Sequence, residues 1–176
     1  TPDRLVFGVD SDHAESVLRE VYASALNGGT PLVVTDLPTA ELVKVSANAF
    51  LATKISFINA IAEICETTGA DVVKVADAIG HDPRIGRRFL DAGLGFGGGC
   101  LPKDVRAFIA RAGEIGAGQS LLFLHEVDAI NLRRRERVAE IAAELVGGTL
   151  IGRKVAVLGV AFKPHSDDVR DSPALN

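Results

Sequence analysis

Cys100 closes a run in which five of seven residues are glycine, Gly93-Leu94-Gly95-Phe96-Gly97-Gly98-Gly99, and it opens the segment Leu101-Pro102-Lys103-Asp104. Glycine gives up more conformational freedom on folding than any other residue, so five together imply a backbone with positive φ angles or one that lets a ligand come close. A flexible surface loop is the alternative reading of that composition. Pro102 suits the first turn of a helix, and Asp104 complements its partly positive end. A thiol at that junction, beside Lys103, is favoured as thiolate, and Cys100 is therefore a candidate nucleophile. Cys65, on an apolar helical face, reads as an inert core thiol.

Other residues carry weaker signals. Lys44 and Asn48 are one helical turn apart. They form either an exposed edge with a snorkelling lysine or a cation and amide aimed at charge that develops during a reaction, and spacing alone does not choose. Cys100 and Arg106 satisfy the C-x5-R spacing of phosphate-cradling loops. Pro102 removes an amide from that loop and Asp104 would repel the anion, so this reading fails. Lys163, after Gly159-Val160-Ala161-Phe162, is a possible phosphate contact, but no G-x-G-x-x-G dinucleotide fingerprint occurs in the chain. His13, His81, His125 and His165 have no metal or triad spacing, and no metal site is expected.

These residues need elements to hold them. Of the 176 residues 47% are hydrophobic, enough for a sizeable core, and the net charge of −4 offers no basic field for nucleic acid. No continuous run of about 18 apolar residues and no signal peptide are evident, so no membrane partner and a cytoplasmic location are expected. A strand over residues 4–10, a helix over 14–26 and a strand over 31–36 make one βαβ unit. Two strands do not make a covered sheet, so this reads as the end of a larger α/β domain. Residues 39–68 lack glycine and proline and are apolar nearly all round, which predicts a long helix inside an assembly or an oligomer interface, with Asp36 or Thr39 capping it and Gly69 ending it. Further helices are expected over 72–79, briefly after Asp82-Pro83, from Pro102 through Ala112, and over 120–146. Lys154–Ala161 reads as a buried parallel strand that begins a second α/β domain. The expected organisation is 1–36 α/β, 37–147 helical and 148–176 α/β.

Taken together, Glu41-Leu42-Val43-Lys44, Asn48-Ala49-Phe50-Leu51-Ala52, the segment Gly95 to Asp104, Gly159 to Pro164 and Asp167-Asp168-Val169-Arg170 resemble, in order, the motifs of the UDP-glucose/GDP-mannose dehydrogenase family. The resemblance implies a mixed fold: an all-α central domain, similar to the C-terminal domain of 6-phosphogluconate dehydrogenase, flanked by partial Rossmann-like α/β pieces. It implies a homodimer through the central helices. It also implies NAD-dependent oxidation of a nucleotide-sugar C6 alcohol to a carboxylate, with UDP-glucose going to UDP-glucuronate and GDP-mannose or a UDP-N-acetylhexosamine as alternatives. A non-catalytic dimerisation module is the alternative from another class.

By the same resemblance Cys100 forms the thiohemiacetal and thioester, Lys44 and Asn48 stabilise oxyanion character and position water, and Asp104 serves the closing hydrolysis. Asp91, Gly95, Phe96 and Gly97 would wrap the nucleotide-sugar. Phe162 and Lys163 would contact it from the second α/β domain, Arg84 would reach a neighbouring subunit's site, and Arg170 would approach the cofactor. The family's glycine fingerprint and catalytic glutamate are expected ahead of Thr1, so no turnover is expected from these residues alone.

Overall fold

The computed structural model describes residues 2–175, which divide into two compact units, one up to Ala47 and one from Asn48 onward. In the first unit, β1 (Leu5–Gly8) pairs in parallel with β2 (Leu32–Thr35), Leu5 opposite Leu32 and Gly8 opposite Thr35. Between them run α1 (Asp12–Val21) and α2 (Ala23–Asn27). The single helix expected over 14–26 is thus broken at Tyr22, whose ring packs on buried Phe7 with centroids 5.6 Å apart. Ser11 Oγ accepts the Ala14 N–H and caps α1.

The long helix α3 (Leu37–Thr68) starts two residues earlier than expected because Asp36 is its cap. One Asp36 carboxylate oxygen accepts the Thr39 N–H at 2.7 Å and the other the Thr39 hydroxyl at 3.0 Å. These bonds, the main-chain one foremost, hold the Asp36 carboxyl below its usual range. The first turns pass so near β1 that a Cβ on Gly8 would stand 2.6 Å from Ala40 Cβ. At the far end, Gly69 takes φ +75° while its N–H and that of Ala70 both donate to the Cys65 carbonyl, as a glycine C-cap requires.

The second unit is helical. The remainder of α3 is joined by α4 (Val72–Gly80), α5 (Leu101–Glu114), a 3₁₀ turn (Gly118–Leu121) and α6 (Leu122–Leu145). Ala49, Ala52, Phe96, Val105, Leu124 and Val127 form its main core, and Ile58, Ala76 and Leu90 a second cluster. The buried Ser56 hydroxyl donates to the Val127 carbonyl at 2.7 Å and pins α3 to α6. By length and composition alone α3 could cross a bilayer. Its buried Asn48, Ser56 and Asn59, however, all bond within the protein, so one face of the helix is packed against the rest of the second unit.

Two expectations are corrected. No helix follows Asp82-Pro83. Asp82 instead accepts the Arg84 N–H at 2.9 Å, Gly86 turns the chain with φ +67°, and Lys54 Nζ donates to the carbonyls of Ile85 and Gly86. Residues 154–161 form no strand: the run is irregular and exposed, Leu158 to 94%. A strand is stabilised by neighbouring main chain, and among the described residues none lies beside this run to accept its ladder.

Candidate functional site

The glycine run is a packed element. Phe96, Gly97 and Gly98 are buried, and Gly95 and Gly98 take φ +93° and +85°. Fully buried Asn131 on α6 accepts the Phe96 N–H at 2.6 Å and donates to the Phe96 carbonyl at 3.0 Å. Arg135 Nη2 donates to the same carbonyl at 3.2 Å, and Asn59 Oδ1 accepts the Gly93 N–H at 2.8 Å. The glycines are needed for contact as well as for φ. A Cβ on Gly95 would collide with the Asn131 side chain, one on Gly97 with the Asp171 carbonyl and Pro173, and one on Gly98 with the Phe162 ring at 2.7 Å. The segment from Phe162 to Pro173 therefore lies directly on the run. Arg135 bridges the two, pairing through Nη1 with Asp171 at 3.2 Å.

Cys100 is the N-cap residue of α5 and is exposed, whereas Cys65 is buried. The Cys100 thiol makes no capping bond to the helix, while its carbonyl accepts the Asp104 N–H at 2.8 Å. Asp104 thus follows Cys100 by one turn on the same face. Across from it, Asn48 on α3 donates from Nδ2 to Asp104 Oδ2 at 2.6 Å, and Lys103 Nζ lies 3.2 Å from the other oxygen. Asn48 is 9% exposed, so this is a nearly dry, charge-assisted hydrogen bond. Lys44 is exposed on the same helix, four residues before Asn48, and belongs to the first unit. Arg106 turns from the cysteine to grip Asp128 at 3.0 and 3.2 Å, which agrees with rejecting a phosphate loop.

The other expected residues are placed separately. Arg84 is exposed and forms a fork with Asp82. Asp91 is exposed and pairs with Arg87 at 2.9 Å. Phe162 is half-buried with Lys163 Nζ 5.1 Å above its ring. Arg170 is exposed and doubly bonded to Asp168, whose carboxyl is drawn down to about 2, chiefly by those Arg170 hydrogen bonds.

Sequence reasoning missed Asn59, Asn131 and Arg135. For Asn59 the signal was a polar residue at a core position of an otherwise apolar helix, a placement that demands a partner, whereas Asn131 and Arg135 sit on the charged helix α6, where nothing marks them out. Arg133, Arg134 and Arg137 tie α6 to Glu63 and Glu66 of α3. Burial opposes ionisation of Glu66, but hydrogen bonds from Arg137 and Arg134 outweigh it and lower its pKa.

Among the described residues no strand-to-helix turn makes a cradle for a dinucleotide pyrophosphate. The β1–α1 junction is Val9-Asp10-Ser11-Asp12, with Ser11 already on the first-turn amide and two carboxylates flanking it.

Residues 38–133 match the UDP-glucose/GDP-mannose dehydrogenase family, central domain. The chain is 46% identical over 176 residues to a UDP-glucose 6-dehydrogenase of Rhizobium meliloti, a match covering 99% of this chain and 40% of that one. Among solved structures it is similar to a UDP-glucose dehydrogenase from Pyrobaculum islandicum, with TM-score 0.91 and 41% identity over 99% of this chain and 39% of the other. It is also similar to a UDP-D-ManNAc dehydrogenase from Pyrococcus horikoshii, with TM-score 0.74 and 29% identity over 97% and 39%. The chain spans about two fifths of the length of the curated relatives it matches.

Proposed function

The chain belongs to the UDP-glucose/GDP-mannose dehydrogenase family, and from that premise we propose that it is the central part of a cytoplasmic enzyme that oxidises UDP-glucose to UDP-glucuronate. Residues 1–36 and 148–176 are then pieces of two flanking Rossmann-like domains, and 37–147 the helical domain between them. The observation that carries this reading is Cys100, exposed at the start of α5, with Asp104 one turn behind it in the grip of Asn48.

Two hydrides must leave C6 between alcohol and carboxylate, and by family likeness NAD would be the hydride acceptor. Among the described residues none fits its pyrophosphate. The Cys100 thiolate adds to C6 of the aldehyde-level sugar and forms a thiohemiacetal. Lys44 and Asn48 supply the cation and amide for its oxyanion. At the thioester stage Asp104 orients a water and takes its proton as the water adds to the acyl carbon, Cys100 departs as thiolate, and the acid so formed loses its remaining proton to solvent to leave the carboxylate. The negative field of Asp104 is kept short-ranged by its bonds to Asn48 and Lys103.

The nucleotide-sugar would lie along Asp91 and Gly95-Phe96-Gly97, with Phe162 and Lys163 on its other side and Arg170 toward the cofactor. A homodimer through α3 is supported by Phe50, Phe57 and Ile64, which recur every seven residues and remain at least half exposed. Arg84 lines an open, mostly apolar cleft of about 390 Å³ beside Phe50 and Phe57, which suits a residue that crosses to a neighbouring subunit.

The test is mass spectrometry of the full-length protein incubated with UDP-glucose and NAD. A sugar adduct on the Cys100 peptide, accumulating in Cys100→Ser as a stalled bound intermediate and absent in Cys100→Ala, is the expected result. Undiminished uronate formation by Cys100→Ala would refute the reading.

A further inference from the structure

The Phe96 ring belongs to the main core, in one cluster with Ala49, Val105 and Leu124. Its main chain is equally occupied: Asn131 holds the N–H, while Asn131 and Arg135 together take both lone pairs of the carbonyl. Phe96 is thus the anchor of the glycine run. Residues 162–173 touch that run through the Phe162 ring against Gly98, the Asp171 carbonyl and Pro173 against Gly97, and the Arg170 guanidinium against Gly99. Such close contacts resist compression but set no register, because dispersion has no direction.

Arg135 adds a directional link. Its side chain is 8% exposed, Nη2 donates to the Phe96 carbonyl at 3.2 Å, and Nη1 donates to the Asp171 carboxylate at 3.2 Å. The buried Nε has no partner among the described residues, so the two Nη groups carry the hold. Asp171 takes the left-handed φ +46°, and fully buried Ser172 closes the turn by donating its N–H to the Val169 carbonyl at 3.2 Å. Arg106 feels the Asp171 charge, but its own hydrogen bonds go to Asp128.

We propose that Arg135 is a positioning residue for the nucleotide-sugar: holding the Phe96 carbonyl with one nitrogen and Asp171 with another, it fixes how residues 162–173 seat on the glycine run and couples the two walls of the binding groove. The inference rests on the reading that these two stretches bind the nucleotide-sugar, and it deepens that reading by naming the group that sets their register. A guanidinium suits this role because its nitrogens lie in one rigid plane.

The experiment uses the full-length protein. Hydrogen exchange of the amides over residues 93–99 is followed by mass spectrometry without substrate or cofactor. Asp171→Asn alters the far wall alone, and asparagine accepts a left-handed backbone as aspartate does. It is expected to speed exchange of the glycine run about tenfold, the size of one charge-assisted hydrogen bond. Arg135→Met should speed exchange in both walls, and the double variant should be no faster than Arg135→Met. Arg135→Lys, which keeps the charge without the fork, should fall between. Residues 52–58 should keep native protection throughout, which separates loosening of the groove from unfolding.

With UDP-glucose and NAD, Asp171→Asn is expected to raise the KM for UDP-glucose about tenfold with kcat nearly kept, the mark of lost ground-state positioning. Native exchange of the run in Asp171→Asn, single effects that multiply in the double variant, or a native KM despite faster exchange would each overturn the proposal. If native protein oxidises UDP-glucose and the run does not respond, this inference alone fails. If the run responds but native protein neither binds nor oxidises UDP-glucose, the functional reading fails and takes the ligand of the groove with it.

Discussion

Asn48 and Asp104, 56 residues apart in the chain, meet through a 2.6 Å hydrogen bond that joins the core helix α3 to the first turn of α5, one turn from the exposed thiol. A neutral donor on a carboxylate leaves the site one negative charge, held in one orientation.

That relationship predicts the effect of Asn48→Asp. Two carboxylates at this separation resist ionising together, so the pair retains a proton above the ordinary carboxylate range. The folded form then binds more protons than the unfolded one, and stability falls as pH rises through the raised value. Urea midpoints of the variant measured between about pH 4 and pH 8 should decline relative to native. Asn48→Ala should instead cost a pH-independent amount of about 1–2 kcal/mol, the loss of a single charge-assisted bond.

Gly95→Ala tests whether the glycine run is structural. The substitution asks an L-residue to hold φ +93° and drives a methyl into the Asn131 side chain, which is fully buried and cannot swing aside. Losing the clamp on Phe96 together with the backbone strain should cost about 3 kcal/mol or more by urea denaturation. Gly93→Ala, whose Cβ would meet nothing within 4 Å, should cost under about 1 kcal/mol.

The two thiols should separate in kinetics. Cys100 is exposed and Cys65 is 6% exposed in the core, so a disulfide reagent should modify Cys100 in the native protein within minutes and Cys65 at the rate of unfolding. Peptide mapping of the modified protein before and after addition of denaturant reads this directly.

Asp168 supplies an acid-side prediction. Hydrogen bonds from Arg170 lower its pKa from 3.8 to about 2, so the unfolded chain takes up a proton first as pH falls. The stabilisation is fully present above 3.8 and is lost between there and about 2. A carboxyl-carbon NMR titration of Asp168 should show the low midpoint in the native protein and a partial return toward the ordinary range in Arg170→Ala, which loses the guanidinium but keeps the main-chain N–H on Asp168.

The chain's glycine and proline punctuation is formed where it stands. The glycine run, the Pro102 helix start and the Gly69 stop are short-range signals, and the thiol and its aspartate lie where those signals put them. The rejected phosphate loop was equally legible, because Pro102 and Asp104 sit inside it. The contacts that make the glycine run rigid were not. Asn131 and Arg135 recognise Phe96 from 35 and 39 residues away, and nothing in their own neighbourhood names that partner. Arg170 on Gly99 is invisible for the same reason. Residues 154–161 show the converse, since a continuous apolar run rich in β-branched side chains states a preference that neighbouring main chain must satisfy.

That last stretch carries a practical cost. Val155, Val157, Leu158 and Val160 stand in water behind one lysine, with amides and carbonyls no ladder occupies. Such a ribbon is a template on which further copies stack, so concentrated samples of these residues alone will self-associate and eventually precipitate. Val157→Lys, placing a charge mid-ribbon, is the substitution that keeps them dispersed.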